Sequence, residues 1–436
     1  MTRPRSRNGH FGIFGAGMFA FGAAAFFVLP AAFATTYIGG AAVVDAVHES
    51  GFPVRPKATH LPTPSAVKGV YMSQCVVGTP SFREALVAFV RETELNSVVI
   101  DIKDFTGYIS FTTENPALKE AVSDECRASD MAAFIKMLHA HDIYVIGRIT
   151  VFQDPRYTAL HPEESVQSVA RPGEPWRDHK GLSFVSVASQ KFWEYIVELS
   201  KESYDLGFDE FNYDYVRWPS DGPMKDIIYP SANRAEELEK FFVYLAKEVR
   251  PTGAVTSADL FGYTTVLTDD LGIGQILERA LPYFDYIMPM VYPSHYNKGF
   301  AGLTNVNSDP YKVVYASMVG AVARAVATTT TLGAFTHMPI TETVTIPAHD
   351  AIATSTEQRF TGLYSKPAYP VSKLRPWLQS FDYPVPYTPD MVAAQIKANE
   401  DAGLTSYLFW DPANKYTSLR KVLSVTVSST TPGLDQ

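Results

Sequence analysis

The segment 207–219, GFDEFNYDYVRWP, carries the most informative chemistry in the chain. Side chains alternate between the two faces of a β-strand, so Glu210, Asn212 and Asp214 share one face. Burying three polar groups costs free energy unless they have partners or a function. The pattern therefore predicts a functional strand face. A structural polar network, and for Asp214 an ion pair with Arg217, are the alternative interpretations.

A second carboxylate ends the Ser-Ala-Asp segment at Asp259. Glycosidic cleavage uses two carboxyl groups, a general acid with a raised pKa and a nucleophile or a base for water. Asp214 and Asp259 are the predicted pair. We expect Asp214 to be the nucleophile or stabiliser, helped by Arg148, and Asp259 to be the acid–base group. Asp104 and Glu210 are the reserve candidates.

Polar and aromatic residues recur at the ends of the other predicted strands. Asp101 and Lys103 share a face, where they either pair with each other or act in the site, and Asp104 is the better catalytic candidate. Because no second histidine stands at a metal-binding spacing, His295 is expected to donate to substrate. No metal and no cofactor are expected. The substrate-binding candidates are Tyr71, Arg148, Asn212, Tyr292, His295, Trp377, Trp410 and Asp411. Trp377 and Trp410 could equally be core residues or stack on the faces of sugar rings.

Several other reaction and binding classes are disfavoured. The chain has no GxSxG elbow, no GxxxxGK[ST] phosphate loop and no HExxH zinc motif. Its formal net charge of −9 argues against a nucleic-acid surface, which needs basic patches against phosphates. Apolar residues make up 46% of the chain, enough for a full core.

The elements that must position these residues follow a regular order. From residue 67, short apolar runs alternate with amphipathic helices, which predicts a parallel sheet covered by helices. Eight such units predict a single α/β domain, a closed (β/α)₈ TIM barrel, whose functional residues lie at the C-terminal strand ends. The predicted strands are 67–74, 97–103, 144–151, 208–215, 254–260, 285–292, 373–379 and 405–410.

Two stretches are longer than a barrel requires. Residues 152–189 follow the third strand, so they lie on the catalytic face and are predicted to form a substrate-binding loop. Residues 327–372, between helix six and strand seven, alternate threonine with apolar residues in the manner of a β-hairpin. By topology this insertion belongs to the opposite face and should not touch the site.

The chain ends predict export. Residues 1–34 combine early arginines with an uncharged apolar stretch, which fits a cleaved signal peptide and an uncleaved membrane anchor equally. Residues 35–66 are proline-rich and predict a linker, the barrel spans 67–425, and 426–436 form a predicted disordered tail. The expected location is extracytoplasmic, either membrane-anchored or secreted. Cys75 and Cys126 could pair there, or remain free.

Several longer motifs resemble one known family. They are KGVY at 68–71, VIDIKD at 99–104, RI at 148–149, FQDP at 152–155, GFDE at 207–210, YVRWP at 215–219, SAD at 257–259, MPMVYPSHY at 288–296, RPWLQ at 375–379 and WDP at 410–412. Together they resemble the glycosyl hydrolase domain family catalogued as domain of unknown function 4015, over roughly residues 67–420. The resemblance implies a glycoside-hydrolase barrel, in which 327–372 looks like an insertion.

More distantly, the chain is similar to amylase-like barrels. That resemblance implies a nucleophile on strand four, at Asp214 or Glu210. The acid of strand five is a glutamate in those barrels, whereas this chain has Asp259. We therefore expect a glycoside hydrolase acting on an extracellular or cell-envelope polysaccharide. A catalytically silent glycan-binding envelope barrel, and a hydrolase of another bond in the same barrel, are the alternatives.

Overall fold

A computed structural model of the protein describes residues 58–346 and 354–429. Eight parallel strands form a closed barrel, and β8 pairs with β1 to complete it. The predicted α/β barrel is confirmed. The strands are β1 Lys68–Met72, β2 Ser97–Lys103, β3 Tyr144–Thr150, β4 Glu210–Asp214, β5 Val255–Phe261, β6 Tyr286–Met290, β7 Trp377–Gln379 and β8 Tyr407–Trp410.

One main helix follows each strand. Prolines at the first helical position and side-chain caps fix several starts; for example, Thr388 accepts a hydrogen bond from the Met391 N–H at the start of α7. Shorter helices at Gln74–Val77 and Pro155–Leu160 lie in the loops after β1 and β3. The main helices are α1 Pro80–Arg91, α2 Met131–His139, α3 Gln190–Leu206, α4 Arg234–Val249, α5 Leu277–Ala280, α6 Pro310–Val326, α7 Pro389–Asp401 and α8 Thr417–Ser429.

The hydrophobic core has two layers. The larger layer lies between the strands and the helices, where Phe192, Ile196 and Leu199 of α3 recur at helical spacing and are fully buried. Burial of each such side chain contributes about 1.5–3 kcal/mol. The smaller layer fills the barrel itself and includes Val99, Ile146, Met288 and Leu408. The barrel interior is therefore packed with side chains.

The chain before β1 covers the N-terminal end of the barrel. The Leu61 N–H donates to Asp209 Oδ1 at 2.7 Å, and Thr63 Oγ1 lies 3.1 Å from the Tyr144 hydroxyl. The last residues of the predicted linker 35–66 are thus part of the packed domain, because they satisfy polar groups at the start of β3 and β4. The predicted signal or anchor segment 1–34 lies outside the described residues.

The stretch between α6 and β7 forms the predicted hairpin. Met338–Ile346 pairs antiparallel with Ser355–Ser365, and Thr329–Thr330 adds a short third strand. Tyr369 N–H donates to the Ala325 carbonyl at the C-terminal end of α6, at 2.9 Å. Because a barrel helix ends at the N-terminal face of the barrel, the hairpin is attached opposite the C-terminal strand ends, as predicted.

The loops of the C-terminal face are extensively cross-linked. Residues 152–189 contribute Gln167–Ser168, which pairs with Ile227–Ile228 from the loop after β4. Trp176 is fully buried there and donates Nε1–H to the Pro223 carbonyl at 3.1 Å. A disulfide joins Cys75 to Cys126 between the loops after β1 and β2.

The last helix, α8, runs to Ser429, which is beyond the predicted end of the domain at residue 425. The predicted tail beyond residue 429 lies outside the described residues. Within residues 58–346 and 354–429, no helix has both the length and the apolar character needed to cross a membrane.

Candidate active site

The two predicted carboxylates lie side by side. In the pairing of β4 with β5, Tyr213 is opposite Ala258, so the next residue on each strand brings Asp214 beside Asp259. Neighbouring strands are about 4.8 Å apart. Both side chains point into the barrel at its C-terminal end, and only 5% of Asp214 and 2% of Asp259 is exposed. The structure therefore places these two acids together at one end of the barrel, and their catalytic roles stay predictions.

Arg148 of β3 binds Asp214. Its Nη2 and Nε lie 2.5 and 3.2 Å from Asp214 Oδ2. The other Asp214 oxygen accepts the Tyr215 N–H at 2.6 Å, from a backbone turned to a φ of 51°. Such left-handed backbone is unfavourable for tyrosine and persists only when its surroundings hold it. The guanidinium and the amide together stabilise a negative charge on Asp214.

Asp259 has a different environment. Its Oδ1 accepts hydrogen bonds from Trp377 Nε1 at 2.7 Å and from Asn212 Nδ2 at 2.8 Å. Burial, and then the negative charge of Asp214, raise the pKa of Asp259 well above its usual range. Asp259 is therefore an acid that resists ionisation, beside an arginine-bound carboxylate. A site that keeps two neighbouring acids in different protonation states has the arrangement needed for acid–base chemistry.

Asp101 of β2 is a third carboxylate in the site, which the sequence analysis did not select. Arg148 Nη1 donates to Asp101 Oδ1 at 2.6 Å, and the Tyr71 hydroxyl donates to Oδ2 at 2.5 Å. Burial raises the pKa of Asp101 to about 6, against the opposing effect of Arg148. Arg148 therefore bridges Asp101 and Asp214. The pairing of Asp101 with the arginine on the adjacent strand was the signal that could have found it.

The mutual pairing of Asp101 and Lys103, one of the two interpretations left open, is not formed. The register between β2 and β3 shifts between these two residues, so they do not share a partner. Lys103 Nζ instead binds Asp154 Oδ2 at 2.6 Å, and both side chains are fully buried. Asp154 also accepts the Tyr157 N–H at 2.7 Å. This ion pair fastens the start of the 152–189 loop to the end of β2.

Aromatic side chains surround the carboxylates. Tyr71 stacks on Trp410 with ring centroids 3.9 Å apart, and Trp377 meets Trp410 edge-on at 5.7 Å. The Arg148 guanidinium lies 4.9 Å from the centre of the Trp410 ring. Tyr292 is buried in the same cluster, and Trp410 is half-buried. The predicted aromatic candidates are thus brought together with the acids, and Trp410 is the least buried of them.

Two predicted catalytic reserves lie outside this constellation. Glu210 is at the start of β4, where it accepts hydrogen bonds from Arg375 Nη1 at 2.7 Å and the Tyr144 hydroxyl at 3.2 Å. The inward direction of Glu210 was predicted correctly, but it is at the N-terminal end of the barrel. Asp104 accepts from Gln74 Nε2 at 2.7 Å and from the Thr106 N–H at 2.9 Å, so it holds the turn after β2.

Two predicted substrate-binding residues, Asp411 and His295, also lie apart from the cluster of acids and aromatic rings. Asp411 accepts the backbone N–H groups of Ala413, Lys415 and Tyr416, each within 2.9 Å, and so shapes the loop after β8. His295 is exposed at the rim of the face, with Ser294 Oγ 3.0 Å from its Nδ1. Of the two, only His295 is open to a ligand.

A possible metal-binding group lies away from the acids. Among the residues that the structure describes, His161, Glu163 and Glu164 can bring three ligand atoms within 4.8 Å of one another. They lie in the 152–189 loop, and Glu164 already accepts hydrogen bonds from Tyr157 and Ser189. The group therefore has a structural explanation without an ion.

Comparison with known families shows which family the chain belongs to. The family described as "Putative glycosyl hydrolase domain" matches residues 69–335 and 344–416. The chain belongs to this family. The matched range contains β1 to β8 except for the first residue of β1, together with Asp214, Asp259, Arg148 and Asp101. Only residues 336–343 are skipped, so most of the stretch 327–372 lies within the family's own sequence, contrary to the expected insertion.

One solved structure supports the assignment of the fold. The glycoside hydrolase domain of PgaB (BpsB) from Bordetella bronchiseptica is 14% identical, with a TM-score of 0.52, covering 83% of this chain and 99% of that domain. A hypothetical protein from Ruminiclostridium thermocellum is 29% identical over 47% of this chain and 98% of its own, with a TM-score of 0.40. A search of curated proteins gives no match. The family member is a glycoside-hydrolase-like barrel.

Proposed function

We propose that this protein is a glycoside hydrolase that cleaves a polysaccharide outside the cytoplasm, with Asp259 as the acid–base residue. Asp214 is the nucleophile or the carboxylate that stabilises positive charge on the sugar. The observation that supports this most strongly is the unequal environment of the two acids. Asp214 is bound by Arg148, whereas burial and the charge of Asp214 raise the pKa of Asp259.

The reaction follows from these environments. Asp259 gives its proton to the glycosidic oxygen as the bond to the anomeric carbon breaks. Positive charge then develops on the sugar ring, and Asp214 stabilises it by contact or by a covalent bond. Arg148 holds Asp214 in place, and Asp101 holds Arg148. After bond cleavage Asp259 is an anion and accepts a proton from the attacking water, which completes the cycle.

The aromatic cluster suits a carbohydrate ligand. Trp410 is the half-buried ring next to the acids, and its stacking on Tyr71 and packing against Trp377 fix its orientation. Rigid, flat apolar surfaces provide contact area at low entropic cost. Because the two acids are almost fully buried, entry of a sugar requires side chains of this cluster to move aside.

The extracytoplasmic location is also a proposal. The early arginines and the apolar stretch of residues 1–34 support it. So does the disulfide between Cys75 and Cys126, because disulfides persist in oxidising compartments. A cleaved signal and a retained anchor both fit these observations.

A catalytically silent glycan-binding barrel is the second candidate. One observation favours it: Arg148 is fully engaged by Asp101 and Asp214, and all three are nearly inaccessible. In this candidate the acids are a structural network. It predicts glycan binding without any bond cleavage.

The test is the release of reducing ends from polysaccharides and cell-wall preparations by the full-length chain. Asp214→Asn should lose at least about 10²-fold in rate, since it removes the charge that meets the transition state. Asp124→Asn, the same change at a fully exposed side chain, is the matched control. Circular dichroism and thermal unfolding verify that each variant folds. Glycan binding without release by the wild type would favour the silent barrel.

A further inference from the structure

Arg217 lies in the segment that follows β4 at the C-terminal face. Gln275 fixes this segment, because its Nε2 donates to the Val216 carbonyl at 3.2 Å and to the Asp259 carbonyl at 3.3 Å. The same glutamine accepts the Phe261 N–H at 2.8 Å. The backbone that carries Arg217 is therefore tied to the end of β5, next to the acid–base candidate.

The guanidinium of Arg217 sits between the ends of the two strands that carry the acids. It lies 4.5 Å from the ring centre of Tyr215, which directly follows Asp214. It lies 4.9 Å from the ring centre of Phe261, two residues after Asp259. A sugar whose glycosidic bond is between Asp214 and Asp259 would therefore lie at the same end of the barrel as this guanidinium.

Arg217 has no carboxylate partner in the described part of the chain. It is 7% exposed, and no carboxylate oxygen of residues 58–346 or 354–429 lies within 4.0 Å of it. The other two buried arginines described, Arg148 and Arg375, are both ion-paired. Arg217 Nη1 donates to the Trp218 carbonyl at 3.1 Å. A guanidinium has five N–H donors, so donors remain for a ligand.

The aromatic rings do not replace an anion. Phe184, Tyr215 and Phe261 lie within 5.8 Å of the guanidinium and compensate part of the cost of removing it from water, but none of these rings is an anionic acceptor for its N–H groups. The carboxylates that act on Arg217 from a distance are Asp214 and Asp221. Asp214 is already bound by Arg148. The buried positive charge of Arg217 is therefore incompletely compensated until an anion approaches it.

We propose that Arg217 binds an anionic substituent of the sugar in the active site, so that the substrate is an acidic polysaccharide. A uronate carboxylate and a sulfate ester share the required chemistry, since both can accept two parallel N–H donors from one guanidinium. Arg217 is then a specificity-determining residue. This inference rests on the proposed glycosidase function, and it names the class of substrate.

The test compares matched pairs of polysaccharides. A polyuronide is set against its carboxyl-reduced form, and a sulfated glycan against its desulfated form. The measured quantity is the ratio of kcat/KM for the acidic to the neutral member of each pair. We expect the wild-type full-length chain to favour one acidic member, and Arg217→Gln to lower that ratio at least about tenfold, the value of a charge-assisted hydrogen bond. The pair that responds identifies carboxylate or sulfate.

Two further variants separate recognition from folding and from general charge. Arg217→Lys keeps the charge but lacks the planar fork, so its ratio should fall between those of the wild type and Arg217→Gln. Lys225→Gln removes an exposed positive charge from the same loop and should leave the ratio unchanged. An equal loss in Lys225→Gln would mean that long-range charge, and not Arg217, sets the preference.

Failure of this inference is distinguishable from failure of the glycosidase proposal. If the wild type cleaves neutral and acidic members equally and Arg217→Gln keeps that ratio, the inference is wrong and the glycosidase stands. If the wild type cleaves nothing, the binding of acidic and neutral oligosaccharides, measured by calorimetry, tests whether Arg217 forms an anion site. Binding of an acidic oligosaccharide that Arg217→Gln weakens at least tenfold supports the anion site, and equal binding by both proteins overturns it.

Discussion

Replacing Asp259 by asparagine removes the proposed proton donor and keeps its hydrogen bonds. Asp259 Oδ1 accepts from Trp377 and Asn212, and an asparagine carbonyl at that position accepts both. The asparagine NH₂ group then replaces the protonated oxygen. We therefore expect Asp259→Asn to fold normally and to lose about 10²–10⁴-fold in kcat/KM, the usual contribution of a general acid.

The loss should depend on the leaving group. A natural sugar leaving group needs a proton as the glycosidic bond breaks, whereas an activated aryl leaving group with a low pKa does not. Asp259→Asn should therefore retain far more activity on activated aryl glycosides than on the natural linkage. The assay is steady-state hydrolysis of a series of aryl glycosides alongside the polysaccharide. Equal losses across the series would refute the assignment of Asp259 as the acid.

The same substitution has a predicted effect on stability. Because the pKa of Asp259 is raised in the folded state, the folded protein binds more protons than the unfolded chain above the ordinary carboxyl pKa. Asp259 therefore lowers the free energy of unfolding of the wild type as the pH rises from the ordinary carboxyl pKa toward the pKa of Asp259 in the folded protein. Asp259→Asn lacks this effect, so its free energy of unfolding relative to the wild type should increase with pH. Urea unfolding at several pH values measures it.

Three other outcomes follow from the structure. Reducing the Cys75–Cys126 disulfide, which closes a loop with a sequence separation of 51, should lower the free energy of unfolding by about 4 kcal/mol, measured by urea unfolding with and without reductant. Glu210→Gln leaves Arg375 buried without its ion-pair partner, so the free energy of unfolding should fall by about 3–5 kcal/mol. If hydrolysis by this variant depends on the leaving group as it does in the wild type, Glu210 has a structural role. Trp410→Ala should raise KM about tenfold with little change in kcat, and an unchanged KM would mean that the ring does not contact sugar.

Much of the fold could be predicted because the signals are local and repeated. Each apolar run of strand length is followed by an amphipathic stretch, and eight repeats leave few alternatives to a barrel. The adjacency of Asp214 and Asp259 then follows from the order of the strands. Arg148 could be placed near Asp214 for the same reason, since β3 and β4 are neighbours.

The sequence interpretations that the structure does not support depend on strand register or on depth along the barrel axis. Asp101 and Lys103 share a face in a regular strand, but an irregularity in the pairing of β2 with β3 gives them different partners. Glu210 has the predicted inward direction, yet an inward residue at the start of a strand lies at the wrong end of the barrel. The alternation of side chains reports which face a residue occupies, whereas its height along the barrel axis depends on where the strand begins, and this strand begins at Glu210 and not at the predicted residue 208.

The most direct test of the account measures the protonation state of the two neighbouring acids at neutral pH. Infrared difference spectroscopy of the full-length wild type, Asp259→Asn and Asp214→Asn detects the C=O stretching band of a protonated carboxyl group. We expect this band to be present in the wild type, lost in Asp259→Asn and kept in Asp214→Asn. Absence of the band in the wild type, or its loss in Asp214→Asn alone, would contradict the assignment of Asp259 as the protonated acid beside an arginine-bound Asp214.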